Sequence, residues 1–538
     1  MIDGEVISAE IADEWIEADN RRSALSFFQN STFLAILLVA LFLSSTFLYF
    51  YLDEEPVDYG ASLDYDQERT LRYAEDLLAL GHPEWKGRMS GTVEEQATAE
   101  YINDLFEELG YQSTLDTYDV PMHSVNSEPS LRVCIPGSSG SFGIIPCSAT
   151  DIDRQIITLN HRMDYVIQGF SGESNIEFNQ DTEVIHLGDG SDDSLWQLAS
   201  GNVGYIVGGG SVPSNTDIMV KAIEYDLQSI IRANKNYNCG KIEGNDCVPI
   251  FKGTSHSAIV EANGGSVPSE LAFIAVSKDA GEILESVVIN ASGRLEMIMD
   301  VTNDEEMMVR VPCGTYYGKS DELLIVGAHH DTVYHAPGAV DDTSGTATVL
   351  EMATMFSEYV SEHGEPDRTV RFCTWGGEEE GLWGSTAYVA DKNQALAENL
   401  RLYINLDMNH VDIDLEERGN SVTLFTNHPD DYEHIEALAE KYKEENPEMA
   451  KKYVINLGLY DGGLGEPNGM PCNSDHCPFV YQLDDGNVIG RAAVCYGSGS
   501  WEYHTYADTM DRFNEESLGI SATIYGNYIK FLAYNIDE

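Results

Sequence analysis

The stretch that decides the fold reads LLIVGAHHDTVYHAPGAVDDTSG and runs from Leu323 to Gly345. Its first four residues are apolar, which predicts a buried parallel strand. His329, Asp331 and Asp341 follow that strand. Open α/β sheets place their chemistry just beyond the carboxyl ends of their strands. Imidazole and carboxylate groups together form a ligand set that suits zinc, so this stretch predicts a metal site.

Three later segments repeat the pattern of an apolar strand followed by a ligand-type residue. The residues in these positions are Glu378 and Glu379, Asp407, and His504. Adjacent carboxylates on one loop point in different directions, so one can bind a metal while its neighbour transfers protons. Each position alone has an ordinary explanation, such as an acidic helix start favoured by the helix dipole. Their recurrence at successive strand ends favours a shared site.

The charge of the chain excludes some classes of partner. It has 91 acidic and 30 basic residues, a formal net charge of −61. Such a charge repels nucleic acid and anionic membrane surfaces. The simplest interpretation is a solvated acidic surface, which fits a protein that works at high salt, where screening weakens self-repulsion.

The N-terminal region predicts a membrane anchor. Residues 32–52 form an apolar run of 21 residues without a charge, long enough to cross a bilayer as a helix. A cleaved signal peptide fits less well, because the run is too long and no Ala-x-Ala site follows it. Arg21 and Arg22 precede the run and acidic residues follow it, so residues 1–31 should be a cytoplasmic tail. We therefore expect a single-pass protein of the cell membrane, with residues 53–66 as a stalk and the rest extracellular.

The remaining chain divides into a discontinuous α/β domain and an insert. Residues 67–133 and 302–538 show strand–loop–helix alternation, whereas residues 134–301 contain short apolar strands separated by turn residues. We expect the latter to be a β-rich module inserted into the α/β domain. In the first part, Thr92 and Glu95 have the spacing of a capping box.

Nine cysteines in a chain of this size do not make a disulfide scaffold, but an extracellular domain permits bridges. The pairs that lie close in sequence are the candidates, and the odd number leaves at least one cysteine free. These pairs are Cys134 with Cys147, Cys239 with Cys247, and Cys472 with Cys477.

Five blocks of this sequence together resemble the co-catalytic dizinc aminopeptidases, the clan MH group that includes bacterial leucyl aminopeptidases and glutamate carboxypeptidase. The blocks are His329-His-Asp331, Asp341-Asp-Thr-Ser-Gly345, Glu378-Glu379-Glu-Gly-Leu-Trp-Gly-Ser385, Asn405-Leu-Asp407-Met and His504-Thr-Tyr-Ala-Asp508-Thr. The resemblance implies an α/β three-layer sandwich with a mixed central sheet flanked by helices. The insert resembles a protease-associated domain through Leu271–Leu284. In related enzymes such a domain caps the cleft and carries no catalytic group.

The resemblance also implies two zinc ions. His329, Asp341 and Asp407 would hold one ion, and Asp341 would bridge to a second. Glu379 and His504 would complete the second site.

The remaining roles follow from the same resemblance. Asp331 would accept a hydrogen bond from His329, and Glu378 would be the general base. Glu380 is left as an acid in the first turn of the next helix. The nearby histidines at positions 330, 335, 410 and 476 would not be ligands.

The sequence thus predicts a membrane-anchored exopeptidase that hydrolyses N-terminal residues from peptides. A carboxypeptidase of the same fold remains an alternative, although it needs cationic side chains for the terminal carboxylate. A non-catalytic binding protein that resembles the transferrin receptor is a further alternative. Retention of the complete ligand set disfavours that reading, and it also disfavours a glutaminyl cyclase, which shares the fold and needs one zinc ion.

Overall fold

The computed structural model describes residues 57–139, 143–145, 147, 155–207, 213–234, 237–242 and 247–536. The predicted tail, the predicted anchor at residues 32–52 and the start of the stalk lie outside these residues. Within the described ranges, no helix has the length and apolar character needed to cross a membrane. Residues Ala61–Glu538 form one compact unit.

The described strands of this unit belong to one large sheet and three smaller ones. In chain order they are β1 (Gln112–Val125), β2 (Ser130–Ile135), β3 (Gly137–Ser139), β4 (Gly143–Ile145), β5 (Gln155–Leu159), β6 (Tyr165–Ile167), β7 (Ser174–Ile176), β8 (Val184–His186), β9 (Val203–Val207), β10 (Ser229–Ala233), β11 (Ala272–Val276), β12 (Arg294–Met299), β13 (Val301–Tyr316), β14 (Ser320–His329), β15 (Arg368–Trp375), β16 (Leu400–Leu406), β17 (Ser421–Thr426), β18 (Val454–Leu459) and β19 (Ala492–Tyr496).

The α-helices alternate with these strands. They are α1 (Gln67–Ala79), α2 (Val93–Glu108), α3 (Asp193–Leu198), α4 (Asn215–Glu224), α5 (His256–Ala262), α6 (Lys278–Ile283), α7 (Thr343–His363), α8 (Trp383–Asp391), α9 (Asn393–Asn399), α10 (Leu415–Arg418), α11 (Pro429–Glu445), α12 (Pro447–Lys452), α13 (His476–Tyr481) and α14 (Glu515–Tyr534).

The large sheet has the strand order β1-β13-β15-β14-β16-β19-β17-β18. Its centre is parallel, because β14 pairs in parallel with β15 and β16, and β16 pairs in parallel with β19. The outer strands β13 and β17 run antiparallel to their inner neighbours. The mixed α/β architecture predicted from the sequence is therefore present. The carboxyl ends of the four parallel strands meet at one edge, where the predicted ligands follow them.

Helices cover both faces of this sheet. Leu323 and Ile325 of β14 pack in one apolar cluster with Tyr388 of α8 and Phe479 of α13. Successive side chains of a strand point to opposite faces, so the alternate residues of β14 face the other helical layer. The helices α7 and α14 contact each other and the sheet. Nearly all of α14 is buried.

The capping box predicted at the start of α2 is only half formed. The Thr92 side chain accepts a hydrogen bond from the backbone of Glu95. The Glu95 carboxylate does not return to Thr92, because it accepts hydrogen bonds from Arg310 at 2.7 Å and lies 3.3 Å from Nε2 of His330. Glu95 thus ties α2 to the large sheet.

The insert leaves the large sheet between β1 and β13, which pair with each other along their length. It contains a five-stranded sheet of order β6-β11-β10-β9-β8 and a four-stranded sheet of order β5-β2-β12-β7. The strands β8 to β11 run parallel, and parallel strands need crossover connections. For that reason the insert holds the helices α3 to α6, which its sequence texture did not predict.

Four disulfide bonds are present. The three pairs predicted from their sequence proximity all occur. The fourth joins Cys313 of β13 to Cys373 of β15, which are paired neighbours in the large sheet. Cys495 is free and buried.

Candidate metal centre

The predicted ligands come together at the edge of the large sheet. His329 is the last residue of β14, and Asp407 directly follows β16. Glu379 lies on the loop after β15, and His504 lies on the loop after β19. Asp341 lies on the loop that leads into α7. All five are buried, with at most 8% of their surface exposed.

Asp341 lies between the two histidines. Its Oδ1 is 3.2 Å from Nε2 of His329, and its Oδ2 is 2.9 Å from Nε2 of His504. The second imidazole also contacts Oε2 of Glu379 at 2.7 Å. One carboxylate thus faces two imidazoles, an arrangement that a bridging ligand would need.

Two groups of three side chains have the spacing of metal ligands. One consists of His329, Asp341 and Glu379, and the other of His329, Asp342 and Asp407. The sequence analysis did not predict that Asp342 would belong to such a group. Its Oδ1 caps α7 by accepting from the backbone N–H of Gly345 at 2.8 Å, and its Oδ2 has no hydrogen-bond partner among the described residues.

Backbone carbonyls orient both imidazoles. Nδ1 of His329 lies 3.1 Å from the main-chain oxygen of Asp331, and Nδ1 of His504 lies 2.9 Å from the main-chain oxygen of Phe251. A carbonyl oxygen only accepts, so each Nδ1 carries a proton and each Nε2 is directed at the carboxylates. This is the tautomer that a metal ligand requires.

The Asp331 carboxylate has a wider role than the sequence predicted. Its Oδ1 is 3.4 Å from Nδ1 of His329. It also accepts from the backbone N–H groups of Glu378 and Glu379, at 3.4 and 3.5 Å. Asp331 therefore links the loop after β14 to the loop after β15.

The three consecutive glutamates occupy different environments. Oε2 of Glu378 lies 3.9 Å from Nε2 of His329, whereas Glu379 contacts His504. The prediction for Glu380 is wrong. It precedes α8, which begins at Trp383, and both of its buried carboxylate oxygens lack a hydrogen-bond partner among the described residues. The turn after β15 directs the Glu380 side chain into the protein interior.

Electrostatics at this edge favour a bound cation. Burial raises the pKa of Asp407 to about 6, with His329 opposing the shift and Asp341 adding to it. Burial opposes protonation of His504, but the carboxylates of Glu379 and Asp341 outweigh it and raise the pKa to about 9. Buried carboxylates that repel one another need compensating positive charge. Nε2 of His329 and Oε1 of Glu379 have no hydrogen-bond partner among the described residues, and this donor set fits zinc.

The structure adds Arg88, which the sequence did not single out, and shows the surroundings of two residues of the SDH segment at 474–476. Arg88 is fully buried behind the ligand loops. Asp475 is buried with both carboxylate oxygens unpartnered among the described residues, and burial raises its pKa to about 7. Ser474 accepts from the amide of Asn405 at 2.9 Å.

The other nearby histidines lie outside both ligand groups. His330 contacts Thr374 and Glu95 behind the sheet edge. His410 and His476 contact main-chain oxygens. Both ring nitrogens of His335 lack a hydrogen-bond partner among the described residues.

Comparison with known proteins agrees with this geometry. Residues 313–529, which carry every predicted ligand, match peptidase family M28. Residues 313–529 thus form a domain of peptidase family M28. The match begins in β13 and ends in α14. It therefore covers the second part of the large sheet and excludes the insert.

Several curated relatives are named aminopeptidases. The chain is 28% identical over 247 residues to aminopeptidase YwaD of Bacillus subtilis, covering 46% of this chain and 48% of that protein. It is 32% identical over 274 residues to the probable lipoprotein aminopeptidase LpqL of Mycobacterium tuberculosis, covering 48% and 51%. An aminopeptidase of Pseudomonas aeruginosa is 36% identical over 115 residues, covering 21% and 20%. The chain thus spans between a fifth and about half of the length of these curated relatives.

Solved structures share the fold. BSAP, a zinc aminopeptidase from Bacillus subtilis, superposes with a TM-score of 0.60 at 18% identity, covering 89% of this chain and 98% of that chain. An aminopeptidase from Aneurinibacillus sp. strain AM-1 superposes with a TM-score of 0.53 at 20% identity, covering 87% and 94%. The coverage extends beyond residues 313–529, so the likeness in fold includes the region of the insert.

Proposed function

We propose that this chain is a zinc-dependent exopeptidase that removes residues from the N-terminus of peptides. The observation that carries the proposal is the carboxylate of Asp341, which lies between Nε2 of His329 and Nε2 of His504. The match of residues 313–529 to family M28 and the names of the relatives support the same activity. The fold of a zinc aminopeptidase adds to that support.

Five side chains would hold two zinc ions. His329, Asp341 and Asp407 would hold one, and Asp341, Glu379 and His504 would hold the other. When bound, the ions would polarise the scissile carbonyl and lower the pKa of a water molecule. The backbone carbonyls beneath the two imidazoles would keep them in the binding tautomer.

Glu378 would move the proton. It would accept a proton from the attacking water and return it to the leaving amine. Burial raises the pKa of Glu378 well above its ordinary value, with His329 opposing the shift and Asp407 adding to it. A raised pKa suits a carboxylate that must retain a proton between the two steps.

The general-base role can be tested with Glu378→Gln. Glutamine has the same shape but accepts no proton, so kcat should fall about 10²- to 10⁴-fold. Zinc content, measured by elemental analysis, should stay at the wild-type value. Glu436→Gln is the control because Glu436 is exposed on α11. Wild-type kcat in Glu378→Gln would overturn the assigned role.

The direction of cleavage can be tested with one peptide in free and N-acetylated forms. The free α-amine of a substrate would lie against the carboxylates of the site. We therefore expect stepwise loss from the free N-terminus, blocked by acetylation, in mass spectra of the zinc-loaded protein. Loss from the C-terminus of both forms would make the protein a carboxypeptidase. If neither form is cleaved, the exopeptidase proposal fails.

The anchor belongs to the same proposal. Residues 32–52 would hold the protein in the cell membrane with the catalytic domain outside the cell. Full-length protein should then remain with membranes after washing with alkaline carbonate, and added protease should degrade it in intact cells. Release by the wash, or protection from the protease, would contradict this topology.

A further inference from the structure

The insert reaches into the metal centre through residues 251–254. The backbone of Phe251 makes two hydrogen bonds with His504. Its carbonyl oxygen accepts from Nδ1 of the imidazole at 2.9 Å, and its N–H donates to the main-chain oxygen of His504 at 3.3 Å. A Cβ on Gly253 would lie 3.1 Å from the main-chain oxygen of Glu379. This part of the insert therefore packs directly on the loops that carry two of the predicted ligands.

Lys252 lies at the centre of this contact. Its Nζ donates to Oη of Tyr503 at 3.1 Å and lies 4.1 Å from the centre of the same ring. The Tyr503 ring in turn stacks on the imidazole of His504, with 3.7 Å between ring centres. The ammonium group is therefore one aromatic ring away from a predicted zinc ligand.

The ammonium group of Lys252 forms no ion pair with any residue that the structure describes. Within the described part of the chain, no carboxylate oxygen lies within 4.0 Å of Nζ of Lys252. Other lysines do have such partners, for example Lys221 with Asp193 at 2.7 Å and Lys319 with Asp367 at 2.8 Å. In a chain with 91 acidic and 30 basic residues, a partly buried lysine without an acidic neighbour needs an explanation.

The charge of Lys252 acts on the metal centre. Burial lowers the pKa of this lysine, and the carboxylates that oppose the shift are those of Glu379, Asp341 and Glu378. Zinc ions bound to these carboxylates would neutralise much of their charge. The positive charge of Arg232, another residue of the insert, also lowers the pKa of Lys252, so a second basic side chain lies nearby. The metal-loaded site would then be positive on the side that faces the insert.

We propose that Lys252 is a specificity-determining residue that binds a substrate carboxylate next to the scissile bond. A positive group on this side repels the α-amine of a substrate and attracts an anionic group. The carboxylate has two possible sources, the acidic side chain of the N-terminal residue or the terminal carboxylate of a dipeptide. This inference rests on the proposed peptidase function.

The test compares peptides that differ only in charge. The side-chain pair is Glu-Ala-Ala-amide and Gln-Ala-Ala-amide, and the terminal pair is Leu-Ala and Leu-Ala-amide. A hydrogen bond to a charged group should raise kcat/KM of the charged peptide about 10- to 100-fold over its neutral partner in one pair. The pair that shows the preference identifies the source of the carboxylate.

Variants assign that preference to Lys252. In Lys252→Met the charged-to-neutral ratio should fall to about one, and Lys252→Arg should retain part of it. Loss of the donor to Tyr503 affects both peptides of a pair alike, so the ratio isolates charge recognition. Lys451→Met is the control, since Lys451 is an exposed residue that pairs with Glu448 on α12. It should leave the ratio unchanged.

A binding measurement separates this inference from the proposed function. Calorimetry with zinc-loaded Glu378→Gln should show tighter binding of the charged peptide, and adding Lys252→Met should abolish the difference. Equal binding and equal kcat/KM within both pairs, or a preference that survives in Lys252→Met, would overturn the inference. Cleavage of no peptide would overturn the proposed function, and calorimetry would still decide the role of Lys252.

Discussion

Replacing Arg88 should weaken both the fold and the metal centre. The Arg88 guanidinium is fully buried and donates to the main-chain oxygens of His330 and Pro337, at 3.2 and 2.9 Å, and to Oγ1 of Thr343 at 2.8 Å. Its backbone N–H donates to Oγ1 of Thr332. These contacts fix the loop between β14 and α7, which carries Asp331 and Asp341.

The magnitude follows from two opposing effects. Three hydrogen bonds from a charged donor are worth about 2 kcal/mol each, or about 6 kcal/mol together. Burial lowers the pKa of Arg88 to about 10 although Asp331, Asp508 and Asp342 raise it, so keeping the charge inside costs about 3 kcal/mol. Arg88→Met should therefore lower the free energy of unfolding by about 3 kcal/mol. Zinc should bind about 10- to 100-fold more weakly because the ligand loop loosens.

The assay combines urea unfolding, followed by circular dichroism, with zinc titration against a competing chelator. Arg72→Met is the matched control, because Arg72 is an exposed residue of α1 and should change the free energy of unfolding by at most about 0.5 kcal/mol. Arg88→Lys should lie between the two. If Arg88→Met matches Arg72→Met in both measurements, Arg88 does not hold the ligand loop and the reasoning is refuted.

Three further outcomes are expected. Burial lowers the pKa of His123 to about 4, so only the unfolded chain protonates this residue between pH 6.5 and 4. Stability should fall by about 3 kcal/mol across that window, and urea titrations at several pH values should show a shallower loss in His123→Phe. The bond Cys313–Cys373 closes 60 residues and Cys472–Cys477 closes 5, so removing the first should cost about 2 kcal/mol more, and equal losses would contradict the loop-length argument. With a net charge of −61, the melting temperature should rise with added sodium chloride, and a constant value would exclude strong surface repulsion.

Part of the site was accessible from the sequence because strand ends carry a local signal. An apolar run predicts a strand, and a polar residue directly after it lies at the sheet edge. This rule pointed to His329 and Asp407, and the resemblance to the dizinc aminopeptidases selected Asp341 and Glu379 from the adjacent acidic residues. The mixed α/β fold followed from the same alternation.

The tertiary structure decided what depends on segments far apart in the chain. The backbone oxygen that orients His504 belongs to Phe251, more than 250 residues earlier, and no local pattern identifies it. Arg88 and Lys252 look like ordinary basic residues until packing buries one behind the ligand loop and places the other beside Tyr503. The sequence by itself determined which residues can bind metal, since ligand chemistry is a property of the side chain. The packing of the insert against the sheet edge decided which oxygen orients His504, and it placed the charge of Lys252 beside Tyr503.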